Sequence, residues 1–184
     1  MIRSFMSRVT RFLIFVMVIL IVAVLALFLI GGRQRQFNSQ TTIAAPASLV
    51  FQYLTDPTKT ERWATGGIQV RPLSEGGHQV GAKSRFTISV EGRTWEIDSE
   101  VLETTPNERI ITAMTGRQVD GRSDCQLEEN NGLTTLRHKF SVTPKGLLRF
   151  VAPFSQTQIQ TKLDSGLEQF KQAMERVARD PVDP

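Results

Sequence analysis

Between Ile68 and Val142 apolar and polar residues alternate with a period of two, and after Pro144-Lys145-Gly146 the period becomes helical. That switch limits the fold more than any other feature of the sequence. Strand side chains point to opposite faces in turn, whereas a helix returns to the same line every third or fourth residue. Ile159, Leu163, Leu167, Phe170, Met174 and Val177 fall on one such line. It is about five turns long at ~3.6 residues per turn. A sheet with one apolar face and one long amphipathic helix bury both by laying the helix across the sheet.

Glu75-Gly76-Gly77, Glu91-Gly92, Pro106-Asn107, Asp120-Gly121 and Asn130-Asn131-Gly132 read as hairpin turns that divide the alternating run into about six strands. Trp95, Ile97, Ser99 and Val101 share one strand face, opposite Glu96, Asp98 and Glu100. Leu136, His138, Phe140 and Val142 likewise oppose Arg137, Lys139 and Ser141. Upstream, Thr41-Thr42-Ile43 suits a strand ending at Ala45-Pro46. Pro46 suits the first turn of a helix with Leu49, Val50, Tyr53 and Leu54 on one face. Asp56-Pro57 ends that helix and starts a second short one, with Asp56 as its cap, running to about Trp63. The predicted fold is α+β: an antiparallel sheet of about seven strands curved onto a long C-terminal helix.

Ahead of this domain lies FLIFVMVILIVAVLALFLI, Phe12 to Ile30, with no charged residue. A transmembrane helix needs about 20 residues. A cleaved secretory signal, the competing reading, has an apolar core of about 7–15 residues and a small-x-small cleavage site. Here the run is longer and ends on bulky residues, which favours an uncleaved anchor. No face of it is polar, as a surface helix of a globular core requires. The expected division is a basic tail (1–11), a transmembrane helix (12–32), a linker (33–36), the domain (37–178) and a C-terminal tail (179–184).

The net charge of +4 belongs to the anchor. Residues 1–36 carry five arginines and no acid, so of 22 basic residues 17 remain in the domain against 18 acidic ones, a net of −1. Arginines flanking a span suit phosphate headgroups, while a nearly neutral domain lacks the basic stripe of a nucleic-acid binder. Nucleic acid is therefore excluded as a partner. Arg3, Arg8 and Arg11 precede the span, and Arg33 and Arg35 follow it. The balance favours a cytoplasmic N-terminus with the domain outside. The single cysteine, Cys125, forms no intrachain disulfide and reads as a small apolar strand residue.

With its motifs placed, the segment from about 37 to 178 resembles the SRPBCC or START-like superfamily, the helix-grip fold. That superfamily includes lipid-transfer START domains, birch-pollen-allergen-like proteins and polyketide cyclase/dehydrase-like proteins. The resemblance is carried by TTIAAPASLVFQYLTDPTKTERWA at Thr41–Ala64, by the glycine-rich GGHQVGAKSRF hairpin and by the closing LDSGLEQFKQAMER helix. It implies a ligand cavity between sheet and helix, with the short helices after Pro46 propping one end. It implies no common catalytic set.

His138 is the one weak catalytic candidate, because an imidazole on an apolar strand face can bond to a ligand or exchange a proton with it; the alternative is a core histidine tied to backbone. Trp63 and Trp95 offer aromatic walls to a cavity. Tyr53 offers a hydroxyl, and Phe86, Met114, Phe140, Leu163, Leu167 and Phe170 complete the expected ligand-binding set. Asp56 reads as a cap, His78 as a turn residue, and the row Glu96, Asp98, Glu100 as a solvated face balanced by Arg85 and Arg93. No metal site is expected, since His78 and His138 lack partners at ligand spacing. There is no Gly-x-Ser-x-Gly elbow and no phosphate-cradling glycine loop, so no cofactor is expected.

The reading that follows is a membrane-anchored binding protein for a hydrophobic small molecule or lipid. A cyclase- or dehydratase-like enzyme using the same cavity, with His138 as general acid/base and Tyr53 orienting the substrate, is the second reading. A non-catalytic interaction module with a filled core is the third.

Overall fold

In the computed structural model, which describes residues 2–56, 59–60, 68–90 and 92–179, the helix α1 (Ile2–Gly31) leads into a seven-stranded antiparallel sheet. The strands are β1 (Arg35–Ile43), β2 (Ile68–Pro72), β3 (Lys83–Val90), β4 (Arg93–Thr105), β5 (Arg109–Gly116), β6 (Val119–Asn130) and β7 (Leu133–Pro144). Helix α2 (Ala47–Thr55) follows β1. After β7 come a single helical turn, α3 (Leu148–Val151), a 3-10 turn (Ala152–Phe154) and the long helix α4 (Gln156–Arg179). The sheet order is β1-β7-β6-β5-β4-β3-β2, so β2 to β7 form a meander and β1 closes onto β7. This is the helix-grip architecture, preceded by one apolar helix.

Neighbouring strands carry their apolar sets into register. Ile97 pairs with Phe86 and Ser99 with Met114, while Cys125 sits between Ile110 and His138. A one-residue slip would move each of these to the outer face, so burial of one face fixes the register. The outer face takes the charges. Arg85 forks onto both carboxylate oxygens of Asp98 at 2.7 and 3.0 Å, and Lys83 pairs with Glu100. A bulge between Val101 and Glu103 shifts the β4–β5 pairing and adds local twist.

Two readings of the connections need revision. β1 begins at Arg35, inside the stretch 33–36 expected as a linker, which shortens the connection from α1. Asp120-Gly121 lies inside β6, and the chain reverses instead near Arg117-Gln118. The reason is packing: a Cβ on Gly121 would stand 3.2 Å from the Ser141 carbonyl oxygen and 3.5 Å from the Phe140 ring. Glycine is there for that approach, and Asp120 is held by Lys145 at 2.7 Å.

Pro46 is the N-cap of α2 rather than its first residue, with extended backbone. It brings no side-chain cap. The carboxylate of Glu129, from the turn end of β6, accepts the Ala47 N–H at 2.7 Å. An anion at a helix N-terminus suits the dipole. Asp56 closes α2 as its C-cap; of the expected helix beyond it, Lys59 and Thr60 are described and helical, and the rest, with Trp63, lies outside the described residues.

The core is dense at the α2 end of the molecule. Ile43, Val50, Leu136, Phe170 and Met174 are all exposed by 1 % or less. Each such side chain contributes about 1.5–3 kcal/mol by leaving water. Towards its N-terminal end the same stripe of α4 changes character: Leu163 and Leu167 are only half-buried. This half of the helix is tied to the sheet edge by polar bonds. Ser39 donates to Asp164 at 2.6 Å, and Gln160 donates to the Asn38 carbonyl at 3.0 Å. Held there over β1, α4 stands away from β3, β4 and β5.

Helix α1 contains a segment, Thr10–Gly31, of 22 residues with mean hydropathy 3.6, in which only the terminal Gly31 is buried. It is long and apolar enough to cross a bilayer.

Candidate functional site

The gap left under α4 is a cavity of about 290 Å³. Its floor is the inner face of the sheet: Phe86 from β3, Ser99 from β4, Ile110, Thr112 and Met114 from β5, Ser123 and Cys125 from β6, and Leu136 and His138 from β7. Its roof is Lys162, Leu163, Gly166, Leu167 and Phe170 of α4, and Leu54 and Thr60 close one side. Strand alternation explains the floor, because every second residue of five neighbouring strands faces inward. The apolar stripe of α4 explains the roof.

One polar pair stands among these walls. Ser123 Oγ and His138 Nε2 share a hydrogen bond of 2.9 Å, and Ser123 also reaches Cys125 Sγ at 3.7 Å. Burial pushes the His138 pKa below its ordinary value, an effect that Asp124 partly opposes. The imidazole is neutral at pH 7, with one nitrogen on Ser123. Burial drives the Cys125 thiol up to about 12, so it lines the wall as a thiol and not as a nucleophile. Asp124 itself faces outward and is held low by a two-pronged bond from Arg109, at 3.0 and 2.8 Å.

Of the residues expected to bind a ligand, Phe86, Met114, His138, Leu163, Leu167 and Phe170 line this cavity. Three others lie elsewhere. Tyr53 is buried in the core with the Lys59 ammonium 4.6 Å over its ring, and its helical neighbour Leu54 takes the wall position. Trp95 lies in a charged recess of about 450 Å³ at the end of the sheet, beside Glu96 and Arg117. That recess is larger, yet ion-paired side chains fill its rim, and it lacks the apolar walls of a small-molecule site. Phe140 leans over Gly121, with its ring centroid 6.0 Å from that of His138. Trp63 falls outside the described residues.

The sequence reading missed Ser123, Thr112 and Ser99. The signal was present: Ser99 is on the strand face already assigned inward through Trp95 and Ile97, and Thr112 precedes Met114 by one alternation. Small hydroxyl residues on an apolar face are easily taken as filler. Among the described residues, no group of three histidine, cysteine or carboxylate side chains is placed to hold a metal ion.

The sequence matches the family described as polyketide cyclase / dehydrase and lipid transport over residues 34–175. No curated protein matches it. Among solved structures it is similar to the Zhui aromatase/cyclase of a Streptomyces species, with a TM-score of 0.68 and 18 % identity over 83 % of this chain and 100 % of that one. A START superfamily protein from Mycobacterium smegmatis aligns with a TM-score of 0.61 and 16 % identity over 80 % of this chain and 99 % of that one. A conserved protein from Geobacillus kaustophilus gives 0.66 and 14 % over 78 % and 97 %. At such identities the likeness is one of fold. The family match spans the strands and the helix that enclose the cavity, and the chain belongs to the polyketide cyclase/dehydrase and lipid transport family.

Proposed function

We propose that the protein is a membrane-anchored carrier or sensor of a lipid-like small molecule, held in the cavity between α4 and the sheet. The observation that carries the reading is the cavity itself: mostly apolar walls with the hydrogen-bonded Ser123–His138 pair among them. Such a lining suits a hydrophobic body with one hydroxyl or carbonyl group, which the imidazole and the serine bind while the walls exclude water. The apolar span of α1 supports a lipid as the source. A pocket tethered within a short connection of a bilayer meets whatever is dissolved there at high effective concentration. With more arginines before the span than after it, the domain is assigned to the extracytoplasmic side.

The test is native mass spectrometry of the full chain released from lipid nanodiscs. A reproducible one-to-one adduct that survives removal of the surrounding lipid supports the reading and identifies the ligand class. A chain that emerges bare from every lipid mixture overturns it.

The second reading, a cyclase- or dehydratase-like enzyme, is favoured by one feature: a neutral imidazole inside the cavity is free to take a proton from a bound substrate or return it. In that case His138→Gln abolishes turnover and leaves the adduct in place. A carrier instead loses part of its affinity and has no turnover to lose.

A further inference from the structure

The chain between β7 and α4 carries a second apolar surface. Leu147, Val151 and Phe154 are 83 %, 54 % and 76 % exposed, although α3 and the 3-10 turn that hold them are ordered against the end of α1. The contact is close. The Phe28 and Phe150 ring centroids are 5.6 Å apart, and the Arg149 guanidinium lies 4.6 Å over the Phe28 ring. A Cβ on Gly31 would fall 1.6 Å from the Arg149 carbonyl oxygen, so only glycine lets the two segments meet. The exposed side chains therefore adjoin the last turn of the apolar span, where Leu29 and Ile30 are 63 % and 49 % exposed. The Arg149 cation thus stands against the last turn of the span, and Arg35 follows the span by four residues in sequence.

We propose that residues 147–154 dock on the bilayer that α1 enters, as a monotopic contact in the same leaflet as the span's C-terminal end. Leu147, Val151 and Phe154 enter the boundary between headgroups and acyl chains, and Arg35 and Arg149 meet lipid phosphates. Apolar side chains backed by cationic ones are the pattern of interfacial segments. The commitment to a bilayer rests on continuity: the patch extends the surface of a helix built to cross one. It also rests on the anchored reading given above, which it deepens. The docked strap runs directly into α4. Leu163, at the cavity roof, is about nine residues beyond Phe154, roughly 13 Å along a helix at ~1.5 Å per residue. Docking fixes the domain with the exposed half of the α4 stripe near the membrane surface, so that a lipid passes from bilayer to cavity along Ile159 and Leu163.

The test uses the full chain in liposomes with an environment-sensitive fluorophore on single added cysteines; Cys125 is buried, and the unsubstituted chain serves as the labelling blank. Leu147→Cys and Phe154→Cys report the strap, Leu20→Cys reports the span, and Leu133→Cys, the exposed first residue of β7 at the opposite end of the sheet, reports water. The expected result is blue-shifted emission, quenched by brominated lipid, at positions 20, 147 and 154, with neither effect at 133. If 147 and 154 behave like 133 while 20 is quenched, the dock is wrong and the anchor stands. No quenching at 20 overturns the anchor and the dock together. A blue shift at 147 and 154 that grows with protein-to-lipid ratio and resists brominated lipid assigns the patch to a second copy of the chain and also overturns the dock. None of these outcomes depends on whether a ligand occupies the cavity.

Discussion

His138 is neutral because its surroundings are poor in water, and this gives the fold a dependence on pH. Its folded pKa lies below the ordinary 6.5, with burial as the main cause. As pH falls below about 6.5 the unfolded chain takes up the proton first, so stability present above that value is lost as pH drops through the folded pKa. Denaturation midpoints measured across this range are expected to fall with pH in the parent and to flatten in His138→Gln. If the slope is unchanged in the variant, His138 is not the titrating group. The same substitution is expected to weaken a bound ligand up to about tenfold, the worth of one hydrogen bond. At this scale the sequence was a partial guide. Alternation assigned His138 to the inner face, but Phe140 shares that face and still leaves the cavity, because glycine at 121 gives its ring somewhere else to lie. Tyr53 and Leu54 are adjacent on one helical stripe, and only packing decides which meets the core and which the cavity.

At the level of elements, α4 does two jobs along one stripe. Its C-terminal half is sealed by Phe170 and Met174, while its N-terminal half is moored to β1 through Ser39, Gln160 and Asp164 and roofs the cavity. The six apolar positions announce the helix unmistakably; the mooring is written in polar residues that a periodicity count ignores. Gly166 marks the division. A Cβ there would meet nothing within 4 Å, so glycine is not required by the packing. Gly166→Ala is expected to stabilise the protein by up to about 1 kcal/mol through helix propensity, as read by thermal or chemical denaturation. Gly166→Phe projects a ring into the cavity and is expected to keep the fold while losing the lipid adduct. A Phe variant that still carries the adduct would place the ligand elsewhere. The hairpins were legible where a glycine has positive φ, as at Gly92 and Gly132. They were misread at Asp120-Gly121, where the glycine serves a neighbour's ring instead of a turn.

For the whole molecule, the architecture was readable because the alternating run is followed by one long amphipathic stripe, and the family because of the motifs at Thr41–Ala64, in the glycine-rich hairpin and in the closing helix. The cavity was not readable in its outline, since it is what remains when α4 is held off part of the sheet, and that depends on side chains far apart in sequence. The apolar run of α1 makes its own prediction. On the anchored reading the mature protein is expected to retain that run and to stay with the membrane pellet after an alkaline wash. A shorter, soluble product cut near the end of the apolar run would assign that run to a signal sequence.

The closing pair β1–β7 adds a question of timing. Arg35 pairs with Val142, so β1 finds its native partner only when β7 has been made. At a synthesis rate of roughly 5–20 residues per second, the ~100 intervening residues take about 5–20 s to appear. During that interval β1 lacks its native partner, and on the anchored reading proposed above it waits beside the membrane, where neighbouring nascent copies present the same edge. The protein's most vulnerable moment is thus set by its topology, and it falls during biogenesis, before any ligand or pocket exists.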